Sequence, residues 1–153
     1  MFIPKEKQLM YAAMAENIEK MKYLVEKKNV SIDSFYKGKT PLIAAAAANL
    51  YRSVLYCLAR GADVDAACKH EGKTALMHAV VHGHLNIVET LLNNGSNVHA
   101  ISKNGSSVME LAVEAAKQTC PTHDEHVQWC TDASKCTFHK GRAEIVNLIE
   151  NIL

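Results

Sequence analysis

Hydrophobic residues along the chain recur in pairs of short segments that have helical spacing. Leu42 is followed three and four residues later by Ala45 and Ala46, which places all three on one face of an α-helix. Asn49, a residue that tolerates a left-handed backbone, precedes a second segment of this kind. The pattern predicts two short helices separated by a tight turn. The apolar stripe of the second helix comprises Val54, Leu55 and Leu58.

The helix–turn–helix pattern returns at a fixed interval. Matching segments begin at Gly38, Gly72 and Gly105, which are 34 and then 33 residues apart, and a more degenerate copy precedes Gly38. Since no such unit can bury its apolar face alone, consecutive units are expected to stack. The sequence therefore predicts one all-α solenoid domain over residues 1–153, with repeats at about 5–36, 37–69, 70–102 and 103–153.

The first helix of each full unit has a marked beginning. Thr40 and Thr74 can each cap a helix with the side-chain oxygen, and Pro41 stands at the first helical position, where its missing N–H costs nothing. These features resemble the ankyrin repeat, which has about 33 residues and a T-P-L-H-x-A motif. Ile43 and Met77 depart from that motif, since they occupy its histidine position. The resemblance covers nearly the whole chain and rests most specifically on Thr40, Pro41, Leu42, Ala45, Ala46, Gly72, Thr74, Leu76, Gly83, His84, Ile87, Val88, Leu91, Leu92 and Gly95.

The resemblance implies a scaffold that binds a partner protein through the hairpin tips and the concave face of the first helices, and not an enzyme. Phe35 and Tyr36 are the most informative of these positions, because exposed aromatic residues are enriched in interface hot spots. The alternative is that both rings pack against Lys37 or the first repeat. The predicted partner-binding residues are Phe35, Tyr36, Lys37, Ala47, Ala48, Lys69, His70, Glu71, Val81, His82, Lys103 and Asn104.

Charge and cysteine content narrow the class of partner and the compartment. Lys and Arg number 17 against 16 Asp and Glu, a net charge of +1, so no global field favours nucleic acid or an anionic membrane. The start MFIPKEKQ lacks the apolar segment of a secretory signal, and no run of ~18 apolar residues predicts a spanning helix. Five cysteines, an odd number, argue against a disulfide framework. We expect a reducing, cytoplasmic location, or a host cytosol if the source is a virus or an intracellular bacterium.

The fourth repeat contains an insertion rich in cysteine and histidine. The second-helix segment at Gly141 comes 25 residues later than the third repeat predicts, which leaves an insertion at about 118–140. Two Cys-x2-His pairs separated by a loop can close a tetrahedral zinc site, and zinc would supply folding energy that so few apolar residues cannot. The predicted ligands are Cys120, His123, Cys136 and His139, with Cys130 and His126 as alternates.

Other interpretations of these residues stay open. A flexible polar loop with reduced thiols and a disulfide are the alternatives to zinc. The alternatives to a scaffold are a zinc-dependent recognition module that uses this insertion and a thiol enzyme. A thiol enzyme would pair Cys130 with His126 or His139, but no oxyanion donor or orienting residue is identifiable. His78 and His82 lie four residues apart, a spacing used by helical zinc ligands, yet no third ligand is evident.

Overall fold

The computed structural model describes residues 3–117 and 137–153 of the chain. This part of the chain contains eight α-helices in four pairs and no extended β-strand, which confirms the predicted all-α repeat fold. None of these helices is long and apolar enough to cross a membrane. The second helix continues into a π-helical turn at Tyr23–Lys27. The helices are α1 (Lys5–Met14), α2 (Ile18–Lys22), α3 (Pro41–Ala47), α4 (Tyr51–Ala59), α5 (Ala75–His82), α6 (Leu85–Asn93), α7 (Val108–Lys117) and α8 (Thr137–Glu150).

The helices form two rows. The first helices of the pairs, α1, α3, α5 and α7, pack against one another in chain order, and α2, α4, α6 and α8 form a second, looser row. Small side chains in the first row, such as Ala45, Ala46 and Ala79, are completely buried and allow the close approach of neighbouring helices. The core lies between the rows and includes Leu76 and Leu91, neither of which is exposed to solvent.

The threonine caps form as the sequence predicts. The Thr40 hydroxyl accepts a hydrogen bond from the backbone N–H of Ile43 at 3.3 Å, and the Thr74 hydroxyl accepts one from Met77 at 3.3 Å. Ile43 and Met77 are themselves completely buried. The position that carries histidine in the ankyrin motif is therefore part of the apolar core in both repeats.

Tight hairpins connect successive helix pairs. Backbone hydrogen bonds join neighbouring hairpins. The Lys69 N–H donates to the Gly38 carbonyl oxygen at 2.8 Å, and the Lys103 N–H donates to the Glu71 carbonyl oxygen at 2.9 Å. The hairpins thus form a continuous row along the solenoid. Each hairpin contains one antiparallel bridge, which pairs Tyr36 with Lys39, Ala67 with Thr74, and Ile101 with Ser107.

The last helix begins earlier than the sequence pattern predicts. α8 starts at Thr137 rather than at Gly141, so residues 137–140 of the predicted insertion belong to a helix. Glycine ends a helix by adopting a positive φ, which Gly141 does not do, and an ion pair of Lys140 with Glu144 spans this turn at 3.9 Å. The rest of the predicted insertion, residues 118–136, lies outside the described residues.

Arg142 joins the third and fourth repeats. It is only 6 % exposed, and its Nη1 donates a hydrogen bond to the Ala115 carbonyl oxygen of α7 at 2.5 Å. Gly83, at the turn between α5 and α6, has a φ of +76°, and a Cβ atom added there would lie 3.0 Å from Nε of Arg142. Glycine suits this turn both for its left-handed backbone and for the close approach of the guanidinium group.

Candidate functional site

All twelve predicted partner-binding residues lie in the described part of the chain, and none of the twelve is fully buried. They form two sets, one on the hairpin tips and one on the first-helix row. The tip set comprises Phe35, Tyr36, Lys37, Lys69, His70, Glu71, Lys103 and Asn104, and the first-helix set comprises Ala47, Ala48, Val81 and His82.

The two aromatic residues of the first hairpin differ in their surroundings. Phe35 is 38 % exposed, and Nζ of Lys69 from the next hairpin lies 4.7 Å from the centroid of its ring. Tyr36 is half-buried, with its ring centroid 6.3 Å from that of Tyr11 in the first repeat and 5.8 Å from Nζ of Lys37. Tyr36 therefore packs on the first repeat and on Lys37, whereas Phe35 keeps an exposed face.

A polar cleft of about 340 Å³ lies between the second and third hairpins. Glu71 forms an ion pair with Lys73 at 2.8 Å, and the hydrogen bond with this lysine holds the pKa of the Glu71 carboxyl below its ordinary value. Nζ of Lys103 donates a hydrogen bond to the Lys69 carbonyl oxygen at 2.5 Å. The structure thus brings four predicted tip residues to one cleft, whose lining comprises His70, Glu71, Lys73, Lys103 and Asn104.

A larger groove of about 410 Å³ opens beside the first hairpin, between the first and second repeats. Its floor is made of alanine side chains on α3 and its C-cap, and its wall is made of methionine and tyrosine side chains. We call it the alanine groove. Its lining comprises Met10, Tyr11, Met14, Tyr36, Lys37, Lys39, Ala44, Ala47 and Ala48.

The alanine groove exists because neighbouring repeats carry different side chains at equivalent positions. Ala44 corresponds to Tyr11 in the first repeat and to His78 in the third, and Ala47 corresponds to Met14 and to Val81. The small side chains of the second repeat therefore lie between larger ones on α1 and α5. A hollow results at this point of the first-helix row.

The charge around the alanine groove is positive. Its lining, all within the described residues, contains Lys37 and Lys39 and no carboxylate. Burial is the main cause that lowers the pKa of His82 on α5, and the charges of Arg142, then Lys39 and Lys73, lower it further. Two ammonium groups thus line the groove although the net charge of the chain is only +1.

His78 is a buried polar residue on α5. It is 6 % exposed, and its Nε2 has no hydrogen-bond partner among the described residues. Burial, followed by the charge of Lys39, lowers the pKa of His78 from 6.5 to about 4. The imidazole is therefore neutral at pH 7.

Several residues of the alanine groove are not among the partner-binding positions that the ankyrin resemblance implies. A comparison of the repeats would have found two of them, since Tyr11 and Met14 stand one repeat before Ala44 and Ala47. The contrast between large and small side chains at equivalent positions was the available signal. The residues missed are Met10, Tyr11, Met14, Lys39 and Ala44.

The described thiols and histidines form no metal centre. Within residues 3–117 and 137–153, no group of three or more His, Cys, Asp and Glu is placed to hold a metal ion, and the pair His78 and His82 belongs to these ranges. His139 lies in the first turn of α8, but its side chain is outside the described part. The other predicted metal ligands also lie outside the described residues, namely Cys120, His123, His126, Cys130 and Cys136.

Stacked helix pairs, linked hairpins and a groove on the first-helix row define the chain as a helical-repeat solenoid. The chain belongs to the ankyrin-repeat family, because the family described as ankyrin repeats in three copies matches residues 5–68 and 49–129. Ankyrin repeats are generally protein–protein interaction modules.

Curated relatives share these repeats over part of the chain. The mouse B-cell lymphoma 3 protein homolog is 42 % identical over 77 residues, which are 50 % of this chain and 17 % of that protein. Mouse ankyrin repeat and SAM domain-containing protein 6 is 38 % identical over 76 residues, which are 50 % of this chain and 9 % of that protein. The putative ankyrin repeat protein FPV223 of fowlpox virus is 28 % identical over 116 residues, and the match covers 56 % of this chain and 82 % of that protein. The chain thus spans less than a fifth of the length of the first two relatives.

Proposed function

We propose that the chain is a non-catalytic scaffold that binds a partner protein through the alanine groove, the exposed first-helix residues and the hairpin tips. The alanine groove is the observation that carries the proposal. Its volume of about 410 Å³ falls within the range of about 300–1,000 Å³ of small-molecule pockets, which leaves room for a side chain of the partner, and its floor is apolar. The exposed ring of Phe35 lies on the adjacent hairpin, where it could serve as an anchor.

The described thiols support a binding role over a catalytic one. Cys57 and Cys68 are both buried, and burial raises the pKa of the Cys57 thiol to about 12. A thiol of this kind is not ionised at neutral pH and is a poor nucleophile. Cys130, the nucleophile that a thiol enzyme would use, lies outside the described residues.

Truncation of a side chain on the hairpin tips or on the first-helix row should weaken partner binding. We expect Phe35→Ala on the first hairpin or Val81→Ala on α5 to reduce affinity by about thirtyfold, which corresponds to about 2 kcal/mol for an interface hot spot. The partner would be captured by crosslinking in cells, purified, and titrated against each variant by calorimetry. Tyr51→Ala and Leu55→Ala are matched controls, because both residues are exposed on α4 in the second row.

The control variants should bind the partner with unchanged affinity, and thermal unfolding should show that all four variants are folded. If affinity falls for Tyr51→Ala or Leu55→Ala but not for Phe35→Ala or Val81→Ala, the binding surface has been assigned to the wrong row of helices.

We also propose a structural zinc site formed by Cys120, His123, Cys136 and His139. The spacing of the two Cys-x2-His pairs supports it, and the first turn of α8 contains His139, three residues after Cys136. Elemental analysis of protein purified without an affinity tag should find about one zinc per chain, as for a single tetrahedral site. Cys136→Ser should lower that content, because a hydroxyl is a far poorer zinc ligand than a thiolate.

Protein that contains no zinc after purification in metal-replete buffer would contradict the zinc site. Loss of zinc in Cys130→Ser but not in Cys136→Ser would support zinc and correct the choice of ligands.

A further inference from the structure

We propose that the alanine groove binds a segment of the partner protein in which a bulky apolar side chain is flanked by acidic residues. This inference rests on the proposed function and adds to it the chemistry of the partner and the place where that chemistry is recognised. The shape of the groove, the apolar side chains of its wall and the lysines around it carry the inference.

The shape of the groove fits a bulky apolar side chain. Ala44, Ala47 and Ala48 leave a hollow of about 410 Å³ that opens to solvent. Met14 and Tyr11 in its wall are each 52 % exposed, which is apolar surface that a partner side chain would remove from water. Methionine adapts its shape readily, so the wall can close around an inserted ring or a branched aliphatic side chain.

The charges around the groove favour an acidic flank on either side of that side chain. Lys37 and Lys39 belong to the lining, and Nζ of Lys7 lies 5.6 Å from the centroid of the Tyr11 ring. Among the described residues, none of these three lysines forms an ion pair with a carboxylate. A carboxylate of the partner would therefore meet ammonium groups that are not already in an ion pair, at the edge of an apolar surface, whereas a basic residue would be repelled.

Three short synthetic peptides test the chemistry of the partner. The first has a central phenylalanine flanked by glutamates, the second has alanine in place of the phenylalanine, and the third has lysines in place of the glutamates. Titration of isotope-labelled protein by NMR should show that the first peptide shifts the amide resonances of Ala44, Ala47 and Ala48. The second and third peptides should bind at least about tenfold more weakly, since each lacks one of the two required features.

Two pairs of variants test the place of binding. Ala48→Glu introduces a negative charge at the C-cap of α3, and Ala59→Glu introduces the same charge at the end of α4 in the second row. Both alanines are exposed, so both variants should fold. Ala48→Glu should weaken binding of the first peptide at least about tenfold, and Ala59→Glu should leave it unchanged.

The second pair concerns the lysines. The double variant Lys37→Gln and Lys39→Gln should bind the first peptide several-fold more weakly and should reduce the salt dependence of binding. The matched control is the double variant Lys27→Gln and Lys28→Gln, because these two lysines are exposed at the end of the π-helical turn that follows α2, in the second row. This control should change neither the affinity nor its salt dependence.

Several outcomes would overturn the inference. They are equal binding of the lysine peptide, resonance shifts confined to the second row of helices, and no binding at millimolar peptide. Shifts of the groove resonances with protein concentration alone, together with self-association in sedimentation equilibrium, would assign the groove to a second copy of the chain. A partner whose affinity depends on Phe35 or Val81 but not on Ala48→Glu would support a binding scaffold that uses the hairpin tips and α5, and it would overturn the part assigned to the groove.

Discussion

Replacement of Leu91 with alanine is expected to lower the free energy of unfolding by about 2–5 kcal/mol. Leu91 lies in α6 with none of its surface exposed, so the truncation removes buried methyl groups and leaves a cavity. Since each repeat is held by its neighbours, a loss of this size is a large fraction of the stability of a four-repeat stack. Urea unfolding followed by circular dichroism measures the change.

Leu55→Ala is the matched control for this truncation. Leu55 lies on α4 and is 42 % exposed, so the same chemical change should cost less than about 1 kcal/mol there. Equal losses in the two variants, or an unchanged midpoint for Leu91→Ala, would contradict the packing described for the second row of helices.

The period of the sequence is sufficient to predict most of this fold, because each repeat specifies both its own helices and the surface on which the next repeat packs. Thr40 and Thr74 recur at the same place in their repeats, and both form the expected caps. Comparison between repeats also corrects the predicted burial of single residues. The apolar stripe of one repeat includes Leu55, but the next repeat has Glu89 at the equivalent position, and Leu55 is indeed exposed. Recurrence therefore predicts burial better than hydrophobicity at one position does.

The alanine groove could not be predicted in this way, since it arises from differences between repeats. Tyr11, Ala44 and His78 occupy one position in three successive repeats and differ in size and polarity. Whether a hollow forms between them depends on the distance between neighbouring helices, which the spacing of residues does not give. The start of α8 could not be predicted from the sequence either. A glycine marks the turn before a helix only where its φ is positive. Gly141 has no positive φ and lies inside α8, which begins at Thr137.

His78 is expected to make the stability of the chain fall in mild acid. Burial is the main cause that lowers its pKa from 6.5 to about 4, Lys39 and then Lys73 and His82 lower it further, and Glu71 partly opposes them. Between pH 6.5 and about pH 4, the unfolded chain binds a proton at this histidine that the folded chain does not bind. Stability that is fully present above pH 6.5 is therefore lost as the pH falls toward 4, by about 2 kcal/mol between pH 7.5 and pH 5.

The variant His78→Leu should lose this part of the pH dependence. Leu111 occupies the same position in the fourth repeat, and leucine removes a buried imidazole whose Nε2 has no partner among the described residues, so the variant should be at least as stable as wild type at pH 7.5. Its advantage should widen by about 2 kcal/mol at pH 5, as measured by urea unfolding at both values. Met77→Leu, a buried neighbour that does not titrate, should follow the wild-type slope. Parallel slopes for wild type and His78→Leu would place the acid sensitivity elsewhere, for example in His82 and His84, whose pKa values are also lowered by burial.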